Sequence, residues 1–327
     1  MYQLFNKENN GSVELNRLTG TFAAAANYDL IEQEILFATN EVAGLVGNDV
    51  IEEASNQYLN GSIPKPSGHG IILPPVILNQ EFVDAVRLPI AVLAVSRWVQ
   101  RTTLTHGNSG RKVKADDNEK VPFSWMLDRD DQAMTEQYYR SLDALYTYLE
   151  ANHVPEWEES GKKRAFDGSL VKSLPELEAI YPIDGSYFLY YRLQSLVLEV
   201  QEMRLRGFLG EKWADITVEE VAEDDRNLLN LARRYAVLKA LTVAVRRWSL
   251  EAFPLKIARR FSPSYQGNTQ SAAATMKEID WFVGNIEQQL KEIQDLMTAE
   301  MNGGESGLEG NALVPSGCRR DKFYSVQ

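Results

Sequence analysis

The sequence predicts an all-α fold made of two pseudo-repeated three-helix units, and three observations lead to this prediction. Apolar residues recur at helical spacing through most of the chain. The motif Gly-x-x-Gly occurs twice, from Gly44 to Gly47 and from Gly207 to Gly210. After each motif, a helical pattern ends in Arg-Trp and is followed by a polar loop and another helical pattern. We therefore expect an internal duplication, with a small β-hairpin or loop insertion and extended termini.

The predicted organisation has five parts: an N-terminal extension (1–27), a first helical repeat (28–152), a linker (153–187), a second helical repeat (188–300) and an extended C-terminal tail (301–327). Apolar residues make up 44% of the 327 residues, enough for a sizeable core. The single cysteine, Cys318, makes no intrachain disulfide, and the first twenty residues do not resemble a secretory signal. We expect a chain that folds in a reducing compartment.

In the first repeat, helices are predicted at residues 28–54, 81–101 and 128–152. Asp29 and Glu32 have the spacing of a capping box at the start of the first helix. Residues 60–75 are rich in Gly, Pro and Ser and are predicted to form a loop. Residues 104–125 contain Gly-Asn-Ser-Gly between alternating residues, which indicates a β-hairpin or an exposed loop.

In the second repeat, helices are predicted at residues 188–208, 228–252 and 272–300. Thr217 and Glu220 have capping-box spacing and predict a short helix that leads into the second of these. In the linker, Ser173 stands three residues before Glu176, and the same spacing predicts a short helix that starts there.

Sequence matches relate the two halves residue by residue. Arg97 and Trp98 match Arg247 and Trp248 at an offset of 150 (247 minus 97). The glycine pairs are offset by 163 (207 minus 44), and we ascribe the difference to the longer loop in the first half. Each glycine pair is interpreted as a corner between antiparallel helices. An RNA-clamping KH fold is disfavoured, because residues 211–225 around the second pair carry seven acids and one lysine.

Recognisable catalytic and metal-binding motifs are missing from the sequence. The three histidines, His69, His106 and His153, fall in predicted loops and have no helical spacing from one another. Acidic clusters occur at Asp116, Asp117 and Glu119, and again at Asp128, Asp130 and Asp131. Two carboxylates in such a cluster can hold Mg²⁺, but the second cluster is better explained as negative charge at a helix N-terminus. We expect no enzymatic activity, no cofactor and no resident metal.

Charged residues give the interaction candidates. Residues 226–260 form the one basic region of a chain with a net charge of −12. Its cations spread around the predicted helix instead of forming one stripe, so pairing with acids between helices or between copies is favoured over DNA reading. The candidate interaction residues are Arg233, Arg234, Arg246, Arg247, Arg259, Arg260, Glu219, Glu220 and Asp224.

Three stretches carry a resemblance to a known family: "LVGNDVIEEA" at 45–54, "THGNSG" at 105–110 and "VPFSWMLDRDDQAMTEQYYRSLDALYTYLE" at 121–150. Together with the order of helices over residues 1–300, they resemble little-characterised proteins of phages and prophages of Bacteroidetes, including crAss-like phages. The genes of that family lie among head-assembly genes, and its members resemble the head–tail connector (adaptor) proteins of tailed phages. The loop at 60–75 and the tail after Met301 depart from the family pattern.

The resemblance implies a non-enzymatic structural protein of the virion, assembled in the cytoplasm of the host bacterium. It implies a homo-oligomeric ring, a dodecamer by analogy, which contacts the portal and tail proteins, lets DNA pass without specific binding and contacts no membrane. Two alternatives stay open. One is a helical nucleic-acid-binding or scaffold protein that uses residues 226–260, and the other is a metal-dependent enzyme that uses the aspartate clusters.

Overall fold

Helices form nearly all of the regular structure that the computed structural model describes. The described residues are 2–6, 11–20, 22, 28–62, 79–102, 104–107, 110–113, 123–248, 259–260, 272–273 and 276–302. The predicted all-α class is confirmed for this part of the chain. No described helix combines the length and the apolar character that a membrane span needs.

The first half is built around one central helix. Its helices are α1 (Gly11–Thr19), α2 (Glu32–Val46), α3 (Asn48–Ser62), α4 (Gln80–Thr102) and α5 (Ser124–Ala151). Helix α4 packs against each of the other four. The segment of α4 from Val86 to Val95 is almost entirely apolar and buried, as expected for a helix that is enclosed on several sides.

The second half is also built mainly from helices. After a linker with the short helices α6 (Pro155–Glu158), α7 (Gly161–Arg164) and α8 (Leu174–Glu178), helix α9 spans Tyr187–Val200. It continues through a π-helical segment, Gln201–Leu205, into α10 (Arg206–Leu209). The remaining helices are α11 (Lys212–Ile216), α12 (Arg226–Arg247) and α13 (Met276–Met301). Helix α12 lies between α9 and α13 and supplies much of a second apolar core.

The N-terminal segment, predicted as an extension, packs on the first core. Leu4, Phe5 and Leu15 are buried, and the sequence analysis did not predict helix α1. Arg87 of α4 lies beneath this segment with only 1% of its side chain exposed. Its guanidinium carbon is 4.7 Å from the centre of the Phe5 ring. The segment is therefore held by a buried cation as well as by apolar contact.

Acidic partners complete the surroundings of Arg87. Its Nη2 forms an ion pair with Oε2 of Glu14 at 2.8 Å, and its Nη1 lies 3.2 Å from Oδ1 of Asp84. The ring of Tyr58 approaches the guanidinium from 4.8 Å, and the Tyr58 hydroxyl donates to Glu14. A buried charge needs such partners, because desolvation alone would make it very unfavourable.

Two carboxylates of α5 connect the halves. Asp143 Oδ1 accepts hydrogen bonds from the Phe188 amide (2.9 Å) and the Ser186 hydroxyl (2.8 Å), and so caps the start of α9. Burial raises the pKa of Asp143 against the lowering effect of these two bonds. Two turns further along α5, Glu150 accepts from Trp157 Nε1 (2.6 Å) and from the Tyr191 hydroxyl.

Lys163 completes this cluster at 2.9 Å from Glu150. Burial alone would raise the pKa of Glu150, but the three donors outweigh burial and hold it below its ordinary value. Burial and the bond to Glu150 together raise the pKa of Tyr191 well above the usual range. Glu150 is therefore a carboxylate and Tyr191 a neutral hydroxyl at neutral pH.

In both Gly-x-x-Gly motifs the second glycine has a positive φ, although the ψ angles differ (152° at Gly47 and −123° at Gly210). Gly47 (φ 103°) ends α2 and Gly210 (φ 56°) ends α10, whereas Gly44 and Gly207 lie within helices. Positive φ is strained for residues that carry a Cβ. Each motif therefore needs its second glycine and not its first.

Several predicted boundaries are wrong. The predicted helix 28–54 is divided: a 3₁₀ turn precedes α2, and α3 continues to Ser62, into the predicted loop at 60–75. Residues 63–75 of that loop lie outside the described residues. The predicted capping box of Asp29 and Glu32 does not mark the start of α2, since Ile31 occupies the cap position of that helix without a side-chain bond. Helix α2 begins at Glu32, so Asp29 lies before the cap position and Glu32 lies after it.

Two more caps separate a correct prediction from a wrong one. Ser173 Oγ accepts from the Glu176 amide and caps α8, as the sequence predicts. Thr217 begins no helix: it follows the end of α11, and its hydroxyl donates to the Trp213 carbonyl. A threonine hydroxyl can accept from an amide at the start of a helix or donate to a carbonyl at its end, and the spacing alone does not distinguish the two.

Further helix ends differ from the predictions. Helix α5 begins at Ser124, so Asp130 and Asp131 lie beyond its first turn and the helix-dipole explanation of this acidic cluster is wrong. Helix α12 ends at Arg247 instead of 252, and α13 begins at Met276 instead of 272.

Short strands precede the last long helix of each half. Strands β1 (Leu104–Gly107) and β2 (Gly110–Val113) pair antiparallel before α5. Strands β3 (Arg259–Arg260) and β4 (Ala272–Ala273) pair antiparallel before α13. The predicted hairpin insertion stays a prediction, because residues 108 and 109 between β1 and β2 lie outside the described residues.

Candidate interaction surfaces

The cations of α12 are largely engaged within the chain. Arg233 donates through Nε to the Leu170 carbonyl (2.8 Å) and lies 3.4 Å from Glu176 of the linker. Arg247 donates two hydrogen bonds to Glu199 of α9, at 2.6 and 2.8 Å. Lys239 pairs in the same way with an acid of α13, Glu287, at 2.7 Å. These three pairs connect α12 to the linker, to α9 and to α13.

The other basic candidates are less engaged or lie at the edge of the described chain. Arg234 is half-buried and Arg246 is exposed near the C-terminal end of α12. Arg259 and Arg260 pair through their backbones with Ala273 and Ala272 in the β3–β4 ladder, and their side chains lie outside the description.

The acidic candidates lie on the segment that leads into α12. Glu219, Glu220 and Asp224 are all exposed. We expected the basic region to pair with acids between helices or between copies, and the ion pairs of α12 in the described residues are with acids of the same chain. Arg226, at the start of the helix, pairs locally with Glu223 at 2.7 Å, but Arg233, Lys239 and Arg247 pair with other elements. The helix rises about 1.5 Å per residue, which carries its later cations away from the acids at its start.

A groove brings three of the candidates together. It holds about 650 Å³ and is bordered by the segment before α12 and the first two turns of that helix. Its lining includes Glu219, Glu220, Val221, Arg226, Leu229 and Arg233. Asp224 and the basic end of α12 do not line it. The candidates thus divide into an acidic groove at one end of α12 and exposed Arg246 near the other.

Large exposed apolar side chains form a second kind of surface, which the sequence analysis did not single out. Trp281 of α13 is 71% exposed, and Phe123, which caps α5, is 67% exposed. Met126 and Leu127 follow Phe123 within one turn and are also exposed. On a helical wheel of α13, buried Ile279 and Val283 lie on the apolar face and Trp281 lies outside it. The exposure of Phe123 depends on where α5 begins, and the sequence did not locate that start correctly.

Metal chemistry has no candidate centre in the described part of the chain. Among those residues, no group of three or more His, Cys, Asp or Glu side chains is placed to hold an ion. His153 is exposed, in a left-handed backbone conformation (φ 47°), and lies 3.6 Å from Glu158. The side chain of Asp128 and the residues Asp116, Asp117, Glu119 and His69 lie outside the description.

Comparison with known proteins gives a family without a known role. Residues 42–167 match the model of a family of unknown function (DUF6712). The match runs from within α2 through α5 into the linker. No curated protein and no solved structure matches the chain.

Proposed function

We propose that this chain is a non-enzymatic structural protein of a tailed bacteriophage particle: a head–tail connector that forms a ring, contacts the portal and joins it to the tail. The observation that carries the proposal is the exposure of Trp281 and Phe123 in a chain that has two well-formed apolar cores. Large aromatic side chains outside a core are typical of protein–protein interfaces. The family resemblance gives the class of partner.

We also propose that the two halves are pseudo-repeats, as the sequence predicts. An equivalent ion pair supports this: Arg97 of α4 contacts Glu41 of α2 at 2.5 Å, as Arg247 of α12 contacts Glu199 of α9 at 2.6 Å. In each half, the arginine is the one that precedes the matched tryptophan. The acids are offset by 158 (199 minus 41), close to the 150 of the arginines.

Burial follows the same offset of 158. Six buried positions of the first half correspond to six buried positions of the second. They are Ile31, Ile35, Ala38, Thr39, Val42 and Ala43, and Leu189, Leu193, Leu196, Val197, Val200 and Gln201. The offset grows to 163 at the glycines (210 minus 47), and the π-helical segment Gln201–Leu205 lies where the extra residues enter. An antiparallel strand pair then precedes the last long helix of each half.

A ring is compatible with the charge distribution of a chain built in this way. In a ring, each subunit contacts one neighbour through one surface and the other neighbour through a different, complementary surface. Exposed Asp224 just before α12 and exposed Arg246 near its end supply two such surfaces of opposite charge. The net charge of −12 also suits a channel that DNA crosses without adhering.

The nucleic-acid alternative receives less support from the geometry. Binding of DNA requires cations that are free to contact phosphates. In α12, Arg233, Lys239 and Arg247 are instead engaged by acids of the same chain. No particular observation favours the metal-dependent enzyme.

The test is assembly with the portal protein encoded in the same phage genome. The two proteins would be co-expressed, purified and examined by native mass spectrometry and electron microscopy, and purified particles would be searched for this chain. We expect a symmetric ring on the portal and several copies per particle. A chain that stays monomeric beside the portal and is absent from particles would refute the proposal.

A DNA shift assay separates the alternative. Binding at moderate salt that is lost in the Arg246→Glu/Arg247→Glu variant would favour the nucleic-acid function. The connector proposal predicts no shift for either protein.

A further inference from the structure

The groove beside α12 presents two uncompensated carboxylates above an apolar lining. Glu219 and Glu220 are exposed at its edge, and within the described residues neither has an ion-pair or hydrogen-bond partner. Val221 and Leu229 supply apolar surface and are only half-buried. A ligand with positive charge and an apolar or aromatic portion would satisfy both features.

The two cations that line the groove do not neutralise these acids. Arg226 pairs with Glu223 at 2.7 Å, and Arg233 is held by Glu176 and by the Leu170 carbonyl. The groove therefore keeps an acidic character although it contains two arginines.

The last described helix ends beside the helix that forms the groove. Asn227, in the first turn of α12, donates a hydrogen bond to Glu300, in the last turn of α13, at 3.0 Å. The chain that continues after Asn302 therefore starts at the same end of α12 as the groove. A stretch such as residues 303–318 can extend by about 3.3 Å per residue. That reach, about 50 Å, exceeds the length of α12, which is about 33 Å at 1.5 Å per residue.

The sequence of that continuation complements the groove. Residues 319–324 read Arg-Arg-Asp-Lys-Phe-Tyr, three cations and one acid followed by two aromatic residues. We propose that residues 319–324 dock in the groove of their own chain, with the cations against Glu219 and Glu220 and the aromatic rings over Val221 and Leu229. Attachment within one chain favours this occupant over a separate peptide, because it raises the local concentration to about the millimolar range. The inference does not rest on the connector function.

The single cysteine gives a direct test in the full-length chain. Cys318 immediately precedes the basic block, and Asn230 lines the groove and is exposed. In an Asn230→Cys variant, mild oxidation by glutathione disulfide, which accepts the two electrons, should join the two thiols within one chain. Mass spectrometry of dilute protein distinguishes this disulfide from one between chains. A Gln137→Cys variant, with the new thiol exposed on α5, should give little of it.

Charge variants in the Asn230→Cys background complete the test. Glu219→Lys/Glu220→Lys should reduce the disulfide yield about tenfold, since two exposed charge contacts become repulsive. The matched control Glu52→Lys/Glu81→Lys makes the same charge change on exposed acids of α3 and α4 and should leave the yield unchanged. High salt should lower the yield of the parent variant.

Three outcomes would overturn the proposal. They are an equal disulfide yield with the Gln137→Cys variant, disulfides that form only between chains, or a disulfide yield that changes with neither the groove charges nor salt. Melting temperatures of all variants establish that they are folded. Failure here leaves the assembly test of the connector function untouched, because that test does not involve residues 319–324.

Discussion

Arg247 donates two hydrogen bonds to Glu199 and so joins the end of α12 to α9, while Arg97 pairs with Glu41 and joins α4 to α2. The hydrogen bonds from Arg247 lower the pKa of Glu199, and the same bonds raise the pKa of Arg247. Both pairs are partly exposed, so water and salt weaken them. Their contribution to stability is therefore small, and the proposed repeat implies that it is similar for both pairs.

We predict equal, modest coupling energies for these two pairs. Double-mutant cycles with alanine at each partner should give a small coupling energy for Arg97 with Glu41 and one of similar size for Arg247 with Glu199. Chemical unfolding at low and high salt measures both values. The control is Arg140 with Glu136, a pair within one helix that should contribute no more. A clear coupling in one half and none in the other would argue against equivalence.

The glycine corners give a prediction with built-in controls. Gly47→Ala and Gly210→Ala should each destabilise the chain by about 1–2 kcal/mol, because a Cβ is strained at positive φ. Gly44→Ala and Gly207→Ala should be neutral or stabilise by up to about 1 kcal/mol. Both of these glycines are helical, and a Cβ added there meets no atom within 4 Å. Thermal unfolding ranks the four variants, and four similar values would contradict the assignment of the corners.

Sequence periodicity predicted the long helices well, because each buries one continuous apolar face. It could not tell the two glycines of a motif apart, since backbone dihedrals are not encoded in the spacing. It matched Arg97 with Arg247 but gave no partner for either. The acids lie 56 and 48 residues away (97 minus 41 and 247 minus 199) on separate helices, where only tertiary packing brings them into contact.

The N-terminal segment was missed for a similar reason. Residues 2–19 are too short and too polar to be recognised as part of a core. Buried Phe5 lies against Arg87, which periodicity places on the inner face of α4, where a cation is not expected. Among the candidate interaction residues, the acids before α12 are exposed, and their part in an interface stays a prediction. The sequence predicted that the basic region pairs with acids between helices but did not identify those acids, because they lie in distant segments.

Arg87 should be essential for holding the N-terminal segment. Arg87→Ala leaves Glu14 and Asp84 without their buried partner and should destabilise the fold by about 3–5 kcal/mol. Hydrogen exchange of residues 2–20 should increase more than that of α9–α13. If the alanine variant does not fold, Arg87→Lys, which keeps the charge, should show the same pattern more weakly.

Arg17→Ala is the matched control for Arg87. It removes an exposed partner of Asp84 and should cost less than about 1 kcal/mol. Equal effects of the two substitutions would show that burial of Arg87 is not what holds the segment.

Glu150 should give stability that depends on pH. Its pKa in the folded chain lies below the ordinary 4.5, so its ionised form stabilises the fold above that pH and the benefit is lost as pH falls through the folded pKa. Glu150→Gln should therefore cost about 1.5–3 kcal/mol at pH 7. The difference from the parent protein should shrink below pH 4.5.

Glu158→Gln tests whether burial matters for the Glu150 cluster. Glu158 also contacts Lys163, at 2.7 Å, but is more exposed and receives no bond from Tyr191. This variant should lose less than about 1 kcal/mol at any pH. Chemical unfolding of both variants from pH 3.5 to 8 measures the two profiles. A loss for Glu150→Gln that is constant with pH would contradict the role of the ionised carboxylate.

Trp281 should separate assembly from folding. Its side chain is largely exposed, so Trp281→Ser should change the free energy of unfolding by no more than about 0.5 kcal/mol. Buried Ile286, five residues further along α13, provides the contrast, since Ile286→Ala should cost about 2–4 kcal/mol. If the exposed aromatic residue belongs to an interface, Trp281→Ser should lower ring formation with the portal in native mass spectra while the melting temperature stays unchanged. Phe123→Ser should act in the same way at the start of α5. Normal ring formation by the Trp281→Ser/Phe123→Ser double variant would remove the observation on which the connector proposal depends, because these exposed side chains would then serve no contact between subunits.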